Sequence, residues 1–503
     1  MKGLKILIVG EGGREHALAI MISRSVQSPK LYAVGSYVNP GIKRIAEATG
    51  GKFYTCKTTD PIGITNIAEE ISPDIIVIGP EEPQFAGVVD VLKEKGFSVF
   101  GASKRLADIE RDRVFARTLM WKYEIPGRLF FKAFKNLEEA SKFAEMAGDT
   151  VIKPARQAGG KGVKVVADQE AYLTKDRSIV KKVYVEKLFK DISRKYHDID
   201  HKIVIEQRVE GVEYTLMVIT DGTTVIPLPI VQDHPHAFEY DLGPETGGMG
   251  CIAGPGELLP FIEMDEYKRS IEIVRKTIYA LQKESKEHYR GAIAGQMMLT
   301  AYWGPTVIEY YSRFGDPEIS ALVPILESDF VEVLEKTVDG RLACTKIEIN
   351  KDSAVVVKAL IPAGYPHDRS IARNHPISID ESEISKHGCI VLYAGTRLDP
   401  DGILRTTGSR AVEIICTGEK HSEASKKANI ALEKAVQSLD GWPLYFRKDI
   451  GSEELLVQRM ELASIVREVY GYRERRGLLG ASIVWIPKKG IFIDPLQNPI
   501  IMR

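Results

Sequence analysis

The chain has 503 residues, several times the usual length of one domain, so a single small module is excluded. Its 68 Lys and Arg residues nearly balance 69 Asp and Glu residues, and the formal charge of −1 excludes a global field that would steer nucleic acid or anionic lipid to it. Hydrophobic residues make up 44% and charged residues 27%, as in ordinary globular proteins, so we expect folded domains throughout.

The sequence indicates a cytoplasmic protein with neither membrane nor nucleic-acid partners. No stretch has the ~18 uninterrupted apolar residues of a membrane span. The apolar run near the N-terminus is too short for a signal peptide. The cysteines are scattered without a CxxC pair or a Cys/His cluster, which predicts neither a disulfide framework nor a zinc site. We expect each to be a small buried hydrophobe: Cys56, Cys251, Cys344, Cys389 and Cys416.

Short apolar runs alternate with amphipathic stretches over residues 1–104. The runs cover residues 5–9, 31–34, 74–79 and 97–100. Strands at this spacing predict βαβ crossovers and a parallel sheet, hence an N-terminal α/β domain.

The rest of the chain divides by pattern into four further parts. Residues 105–202 hold two strand-like runs, 150–154 and 162–167, around a glycine-rich loop, which predicts a hairpin lid; the basic stretch 175–202 is interpreted as a solvated helix and loop. Residues 203–330 carry the densest polar motifs and are predicted to be the catalytic core. Residues 331–451 are mostly β, with runs 354–360, 389–393 and 411–416 and a helix near 423–439. Residues 452–503 form an extension of unknown role, with a helix over 453–470 and a strand-like run 482–486.

The first chemical motif is the glycine-rich turn from Gly10 to His16, between the first strand and the first helix. A helix N-terminus with free N–H groups is suited to bind a phosphate. The motif is not a dinucleotide fingerprint, because Glu15 replaces the third glycine and the second strand ends in Gly35-Ser36-Tyr37 without a ribose-binding acid. Two turns, Asn39-Pro40-Gly41 and Gly79-Pro80-Glu81, also follow parallel strands. A phosphate of a small molecule other than NAD is therefore expected here.

The second motif runs from Lys153 to Gly162 with the sequence KPARQAGGKG. It is not a Walker A loop, because neither Ser nor Thr follows Lys161 and a strand follows the loop. A glycine-rich loop with lysines between antiparallel strands can close over a triphosphate. Downstream, Glu206 is placed to accept from an adenine amino group and Glu213 to hold ribose hydroxyls.

The third motif places Glu309 on a strand beside a run that contains Gln296. Two such oxygen ligands suit Mg²⁺ bound against ATP phosphates. Arg313 is placed to neutralise a phosphoryl group in transfer. The fourth motif combines Asp233 with the glycine-dense stretch 241–250, a loop suited to close on a small zwitterion or sugar phosphate. His234 and His236 are expected to be surface or supporting residues, not metal ligands.

Taken together and in order, the motifs GEGGREHA, NPGI, VIGPEEP, KPARQAGGKGVKVV, QDH, GPETGGMG and IEYYSRFGDPE resemble the glycinamide ribonucleotide synthetase family of the ATP-grasp superfamily, in its archaeal form. The resemblance holds from residue 1 to about 451. It implies a multidomain α/β ATP-grasp ligase that uses ATP and Mg²⁺ or Mn²⁺ and joins glycine to 5-phosphoribosylamine through glycyl phosphate in purine biosynthesis. The sequence leaves open whether the protein is a monomer or a homodimer.

The resemblance also implies the roles of individual residues. Catalytic roles fall to Arg313, Asp233 and Lys161. Residues for ATP are Lys153, Gly159, Gly160, Lys161, Gly162, Glu206, Glu213 and Arg113, and the metal ligands are Glu309 and Gln296. The ribosylamine and glycine side comprises Gly12, Gly13, Arg14, Glu15, Asn39, Pro40, Gly41, Pro80, Glu81, Asp233, Asp241, Gly247, Gly248, Met249, Gly250 and Asp316.

Several positions depart from the family pattern. Tyr311 stands where asparagine is usual, Pro235-His236 where a Lys-Arg pair is usual, and Glu245 where asparagine is usual, while the segment usually read as EGSK is here residues 110–113. These changes remove cations and add a carboxylate near the expected phosphates. Two alternatives therefore stay open: a diverged paralogue that binds nucleotide or sugar phosphate without turnover, and a ligase with an altered amine or acid substrate.

Overall fold

A computed structural model describes residues 3–146, 150–156, 164–165, 177–480, 482–484 and 491–493. The N-terminal domain is a five-stranded parallel sheet in the order β3-β2-β1-β4-β5 with helices between the strands. Its elements are β1 (Lys5–Val9), α1 (Gly13–Ser23), β2 (Lys30–Gly35), α2 (Pro40–Ala48), β3 (Phe53–Thr55), α3 (Pro61–Ile71), β4 (Ile75–Ile78), α4 (Glu81–Ala86), α5 (Val88–Glu94) and β5 (Val99–Phe100). The predicted parallel sheet is confirmed; β3 was not predicted, because this strand is short and no residue in it is fully buried.

The next part of the chain is a small antiparallel sheet, in the order β6-β9-β7-β8, backed by helices. Its elements are α6 (Asp108–Arg111), α7 (Arg113–Lys122), β6 (Phe131–Phe134), α8 (Leu137–Met146), β7 (Thr150–Pro154), β8 (Lys164–Val165), α9 (Arg177–Lys195) and β9 (Ile203–Gln207). β7 and β8 pair antiparallel as predicted. Lys161 and the three glycines of the lid loop, Gly159, Gly160 and Gly162, lie outside the described residues.

Helix α9 confirms the helix predicted within the basic segment, but it is not solvated on every side. Val185, Leu188 and Ile192 on this helix are buried in a cluster with residues of the small sheet. The basic residues that dominate the sequence pattern share the helix with this apolar face. An amphipathic helix of this kind packs on a sheet by one face and keeps its charges on the other.

The catalytic core contributes β10 (Gly211–Thr220), β11 (Val225–Pro227), β12 (Val231–Asp233), β13 (His236–Phe238), β14 (Leu242–Glu245), β15 (Gly250–Ala253), α10 (Met264–Ser285), β16 (Gly291–Thr300), β17 (Gly304–Tyr311) and α11 (Phe330–Asp339). The C-terminal part contributes β18 (Ala354–Pro362), β19 (Arg373–Ile379), α12 (Glu381–Lys386), β20 (Cys389–Tyr393), β21 (Thr396–Leu398), β22 (Leu404–Thr407), β23 (Val412–Gly418), α13 (His421–Ala435), β24 (Val436–Ser438), β25 (Leu444–Tyr445), α14 (Glu453–Arg475), β26 (Ser482–Val484) and β27 (Ile491–Ile493). Short 3₁₀ turns occur at Glu239–Asp241, Glu318–Leu322 and Leu342–Cys344.

One large sheet runs from the catalytic core into the C-terminal part. Its main path is β17-β16-β10-β12-β15-β18-β23-β20, and β15 and β18 pair antiparallel across the sequence boundary predicted near residue 330. Strands of the two parts therefore bury their side chains in shared clusters. Within the described ranges, the search for a helix long and apolar enough to cross a membrane finds none.

The cysteines correct a second expectation. Cys389 and Cys416 form a disulfide, because the adjacent antiparallel strands β20 and β23 place them opposite each other with Cα atoms 4.4 Å apart. A separation of 27 residues gives no motif by which the sequence could reveal this pair. Cys251 is a buried free thiol as expected, whereas Cys56 is only half-buried. The side chain of Cys344 lies outside the described part of the structure.

Candidate active site

A cavity of about 340 Å³ lies where the carboxyl ends of the N-terminal strands face the loops of the core. Parallel sheets commonly bind ligands at this edge. Eleven of the residues predicted from the sequence line the cavity: Arg14, Glu81, Arg113, Lys153, Glu213, Asp233, Gly247, Gln296, Glu309, Arg313 and Asp316. Residues from four separate parts of the sequence therefore meet at one place.

The glycine-rich turn forms the N-terminal wall of this cavity. A Cβ at Gly10 would lie 2.6 Å from the Glu15 side chain and 2.7 Å from that of Pro80, so only glycine lets the two turns approach this closely. The Gly12 N–H donates to Glu15 Oε2 at 2.7 Å, and Arg14 Nε donates to Glu15 Oε1 at 2.6 Å. Glu15 therefore fixes the turn and aims the Arg14 guanidinium into the cavity.

Asn39 supports this wall from behind. Its side chain accepts from the N–H groups of Gly41 and Ile42 at the start of α2, where Pro40 is the first residue of the helix. The same amide donates to the Tyr393 carbonyl at 2.7 Å, so the turn is attached to the C-terminal part of the chain. Among the predicted substrate residues, those that stand behind the cavity lining are Gly12, Gly13, Glu15, Asn39, Pro40, Gly41 and Pro80.

Glu206 lies in a buried ion pair and not on the cavity surface. Arg117 Nε donates to Glu206 Oε1 at 2.7 Å, and Lys153 Nζ lies 3.1 Å from Glu206 Oε2. Burial alone would raise the pKa of Glu206, but the charges of Arg117 and Lys153 outweigh it and bring the pKa to about 2. This carboxylate orients Lys153, which lines the cavity, whereas Glu206 itself does not; the contact of Glu206 with adenine stays a prediction.

Glu309 and Gln296 stand opposite each other on the antiparallel strands β17 and β16. Arg113 Nη2 donates to Glu309 Oε1 at 2.8 Å, and the Tyr311 hydroxyl donates to the side-chain oxygen of Gln296 at 2.5 Å. Burial alone would raise the pKa of Glu309, but the charges of Arg113 and Lys153 outweigh it and hold the pKa below its ordinary value. The carboxylate is therefore ionised.

This donor set fits a divalent cation held jointly with a nucleotide. Among the described residues no group of three or more His, Cys, Asp and Glu side chains is arranged to hold a metal by itself. Mg²⁺ commonly takes one or two protein oxygens and completes its shell with phosphate and water. Glu309 and Gln296 supply two neighbouring oxygens of that type, and Arg113 and Lys153 lie beside them for phosphates.

Arg313, which also lines the cavity, is held by two carboxylates. Its Nε donates to Glu81 Oε2 at 3.0 Å, and its Nη2 lies 3.1 Å from Glu110 Oε1. Glu110, which we had not singled out as a site residue, also accepts from the Ser312 N–H and hydroxyl at 2.6 and 2.8 Å. Burial lowers the pKa of Arg313, but Glu110 and Glu81 raise it well above its ordinary value, so this cation is permanent.

Of the residues predicted at the end of β12 and in the loop after it, only some line the cavity. Burial, reinforced by Glu318, raises the pKa of Asp233 well above its ordinary value. Gly248 has φ of +103°, and a Cβ there would lie 2.5 Å from Asp233 Oδ1. Met249 and Gly250 are buried behind the loop. Asp241 does not line the cavity; its carboxylate pairs with Arg447 and Arg459.

Two charged residues of the C-terminal part, Arg410 and Glu413, support the site although the sequence pattern does not point to them. Arg410 lines the cavity, donates to the carbonyls of Gly247 and Asp316 at 2.8 and 2.9 Å, and pairs with the Asp316 carboxylate at 2.8 Å. Glu413 reaches Asp316 and accepts from Ser320 Oγ at 2.7 Å. The sequence offers no signal for them, because they lie in a β-rich stretch far from the motifs.

Comparison with known proteins accounts for this arrangement. Family models described as phosphoribosylglycinamide synthetase match residues 4–110 (N domain), 111–319 (ATP-grasp domain) and 355–453 (C domain). Phosphoribosylamine–glycine ligases of Methanopyrus kandleri and Methanocaldococcus jannaschii are 41% and 40% identical to this chain; each comparison covers 92% of this chain and 99% and 100% of the relative, respectively.

Solved structures agree with the sequence comparison. The phosphoribosylamine–glycine ligase of Thermotoga maritima superposes with a TM-score of 0.70 at 28% identity, over 89% of this chain and 100% of that chain. The biotin carboxylase domain of a Hydrogenobacter thermophilus 2-oxoglutarate carboxylase, at 14% identity and a TM-score of 0.61, shares the fold over 95% of this chain and 99% of that one. The predicted multidomain ATP-grasp fold is confirmed, and the chain belongs to the phosphoribosylglycinamide synthetase family.

Proposed function

We propose that this protein ligates glycine to 5-phosphoribosylamine at the expense of ATP, giving glycinamide ribonucleotide, ADP and phosphate in purine biosynthesis. The observation that carries the proposal is the joint placement of Arg113, Lys153 and Arg313 with the Gln296–Glu309 pair around a single cavity. Three fixed cations and two neighbouring oxygen donors suit a triphosphate with its divalent metal. Arg14, on the glycine-rich turn, extends the same cavity toward a second phosphate.

In the first step a glycine carboxylate oxygen attacks the γ-phosphorus of ATP. The bond between the γ-phosphorus and the oxygen that joins it to the β-phosphate breaks, and the products are glycyl phosphate and ADP. The chain's part is alignment and charge stabilisation. Arg313 is the residue proposed to neutralise the phosphoryl group, because Glu81 and Glu110 fix its guanidinium without covering all of its donors. Lys153, together with Lys161 from the lid, is proposed to bind the β- and γ-phosphates.

In the second step the amine of phosphoribosylamine attacks the carbonyl carbon of glycyl phosphate and expels phosphate, and the nitrogen loses one proton. Asp233 is the residue proposed to stand beside the glycine amino group, on the wall shared with Gly247 and Asp316. Arg14 and the turns that contain Asn39 and Glu81 are proposed to hold the ribose phosphate. A bound Mg²⁺ or Mn²⁺ would supply charge neutralisation of the triphosphate at Glu309 and Gln296.

We propose a corresponding division of labour along the chain. Residues 1–104 bind the ribose phosphate, residues 105–202 form the lid, residues 203–330 carry the chemistry, and residues 331–451 complete the substrate wall. The protein is proposed to act in the cytoplasm on small molecules, as a monomer or homodimer.

The test is ADP release by the purified protein in the presence of ATP, glycine and phosphoribosylamine. We expect release that depends on both co-substrates and falls at least about 100-fold in Glu309→Ala, since a metal ligand is lost. Glu332→Ala is the matched control, because Glu332 pairs with Lys336 on the surface of α11. Release that persists without glycine would contradict the proposed reaction.

A binding protein without turnover is the second candidate, and one contact favours it. The Tyr311 hydroxyl donates to Gln296 Oε1, so one lone pair of a proposed metal ligand is already engaged. Comparing Tyr311→Asn with wild type decides between the two candidates. A large gain of ligase activity in the variant would support the second candidate, and high activity in both proteins would reject it.

A further inference from the structure

The hairpin that borders the cavity, residues 236–245, has apolar contacts near one end only: Ala237 is buried, and the Phe238 ring lies edge-on to that of Tyr445 with centroids 5.7 Å apart. We call this hairpin the flap; it comprises β13, the turn Glu239–Asp241 and β14. His236 and Glu245 are paired across its base, and both line the cavity. The tip carries the exposed side chains Phe238, Tyr240 and Leu242. Polar contacts must therefore supply much of what keeps the flap in place.

The turn of the flap is also unfavourable in itself. Tyr240 and Asp241 have φ of 58° and 56°, the left-handed region that side chains other than glycine adopt at a cost. Two successive residues in this region persist only where surrounding contacts fix them. The contacts that do so are polar: His234 Nδ1, directly after β12, lies 3.9 Å from Asp241 Oδ1, and the hydrogen bonds come from the C-terminal part.

Four groups from the C-terminal part contact this turn: the side chains of Arg447, Asp449 and Arg459, and the Lys448 N–H, which donates to Glu239 Oε1 at 3.1 Å. Arg447 Nη1 donates to Asp241 Oδ1 at 2.9 Å and to the His236 carbonyl at 3.1 Å. The Tyr240 N–H donates to Asp449 Oδ2 at 2.9 Å. The other oxygen of Asp241 accepts from Arg459 Nη2. Arg447 and Asp449 belong to the segment that follows β25, whereas Arg459 lies on helix α14.

Helix α14 lies beyond the stretch that the family's C-domain model matches, which ends at residue 453. It is docked to the core at a second point eight residues further on. There Arg467 makes two hydrogen bonds of 2.8 Å to the Glu266 carboxylate and one of 2.7 Å to the Phe261 carbonyl. The helix is thus attached to α10 and its preceding loop, where Arg269 Nη1 also donates to the Tyr470 hydroxyl at 3.0 Å, and separately to the flap through Arg459.

We propose that Arg459 of α14 is a positioning residue for the ligase: it holds the flap closed over the nucleotide end of the cavity without touching substrate. Arg459 itself does not line the cavity. The kinetic part of this inference rests on the proposed function, whereas its structural part does not.

The consequence is a penalty on ATP binding. If the flap opens when Arg459 is removed, only the closed fraction of the enzyme binds ATP well, and the apparent affinity falls in proportion. We expect Arg459→Met to raise the KM for ATP roughly tenfold with kcat within about twofold, and Arg459→Lys to recover part of the loss. Hydrogen exchange of the backbone N–H groups over residues 236–246 should become at least about tenfold faster in Arg459→Met.

Arg467→Met is the matched control, since it removes an ion pair of the same helix that does not reach the flap. We expect it to lower the thermal unfolding midpoint as much as Arg459→Met or more, with the KM for ATP and the exchange of residues 236–246 unchanged. Equal effects of the two substitutions on KM and exchange would reduce Arg459 to a general stabilising role and overturn the proposal. Unchanged exchange in Arg459→Met would also overturn it, and this readout holds even if wild type shows no ligase activity.

Discussion

Replacing Arg117 by methionine tests how the site's buried charges are held. Arg117 lies on α7 with its side chain 4% exposed, and its partner Glu206 is 1% exposed. The guanidinium donates to both carboxylate oxygens at 2.7 and 3.1 Å, and to the carbonyls of Val307 and Ile308 at 3.0 and 2.6 Å. Those carbonyls belong to β17, immediately before Glu309. One side chain therefore links α7, the small sheet and the strand that carries a proposed metal ligand.

The magnitude follows from the charge that the substitution leaves behind. Breaking a buried ion pair from one side costs about 3–5 kcal/mol, because the remaining charge is left in a poor solvent. The pKa of Glu206, which burial raises and Arg117 and Lys153 lower to about 2 from 4.5, gives the same order. At about 1.4 kcal/mol per unit, that shift corresponds to about 3 kcal/mol of stability. In Arg117→Met, Lys153 remains with its Nζ 3.1 Å from Glu206 Oε2, so part of this stabilisation is kept.

The assay is urea unfolding at pH 7 followed by tryptophan fluorescence, to which Trp121 contributes; it lies one helical turn from Arg117 and packs at a tilt against Phe130, with ring centroids 5.1 Å apart. We expect Arg117→Met to lower the unfolding free energy by about 3–5 kcal/mol. Lys122→Met on the same helix, whose exposed Lys122 pairs with Glu284, should cost less than about 1 kcal/mol.

The double variant Arg117→Met/Glu206→Gln separates charge from packing. Since it leaves no unpaired carboxylate, we expect it to be more stable than Arg117→Met alone. Because the folded-state pKa of Glu206 is lowered, its contribution is complete above pH 4.5 and is lost as the pH falls toward 2, so the acid sensitivity of wild type in this window should be weaker in the double variant. A single variant within about 1 kcal/mol of wild type, or a double variant less stable than the single one, would refute this reasoning.

Two further predictions concern the C-terminal part. Burial, reinforced by Asp316, raises the pKa of Glu413 from 4.5 to about 8, so the folded protein keeps a proton there that the unfolded chain releases above pH 4.5. Stability should therefore fall as the pH rises from 4.5 to 8, and Glu413→Gln should unfold at a higher temperature than wild type at pH 8; a variant with the same pH dependence as wild type would contradict the assignment. The disulfide between Cys389 and Cys416 should contribute about 2–4 kcal/mol, so dithiothreitol should lower the urea midpoint of wild type and leave that of the Cys389→Ala/Cys416→Ala variant unchanged. Equal sensitivity of both proteins to the reductant would show that the bond contributes nothing.

The sequence predicts the N-terminal sheet well because its central strands are buried on both faces. In β1 and β4 nearly every residue is apolar, and such runs stand out from their surroundings. β3 pairs at the sheet edge with partly exposed residues, so it leaves no comparable run. The buried face of helix α9 is hard to see in the sequence, because the helix carries many charged residues beside its apolar ones.

The candidate site is predictable only where a motif and the cavity coincide. Arg313 and Glu309 lie within one contiguous motif, and both line the cavity. Glu206 has an equally suggestive sequence context, yet it is buried against Arg117, a partner 89 positions away in the chain. A polar residue at a strand end has the same appearance in sequence whether it meets a ligand or an internal cation. Arg410 and Glu413 were missed because long-range strand pairing alone brings them to the site.

Although the whole chain is nearly neutral, acidic side chains outnumber basic ones in the lining of the cavity. Its carboxylates are Glu81, Glu82, Glu213, Asp233, Glu245, Glu309, Asp316 and Glu318, against the cations Arg14, Arg113, Lys153, Arg313, Arg369 and Arg410. Several of the cations are paired with those carboxylates, as Arg113 is with Glu309 and Arg410 with Asp316. Phosphates that enter must therefore exchange partners with carboxylates, and each displaced carboxylate needs a new counter-charge, because an unpaired charge in such a site is costly. A divalent cation that arrives with the nucleotide meets this need at Glu309. Metal and triphosphate should therefore bind as one unit, each weakly without the other.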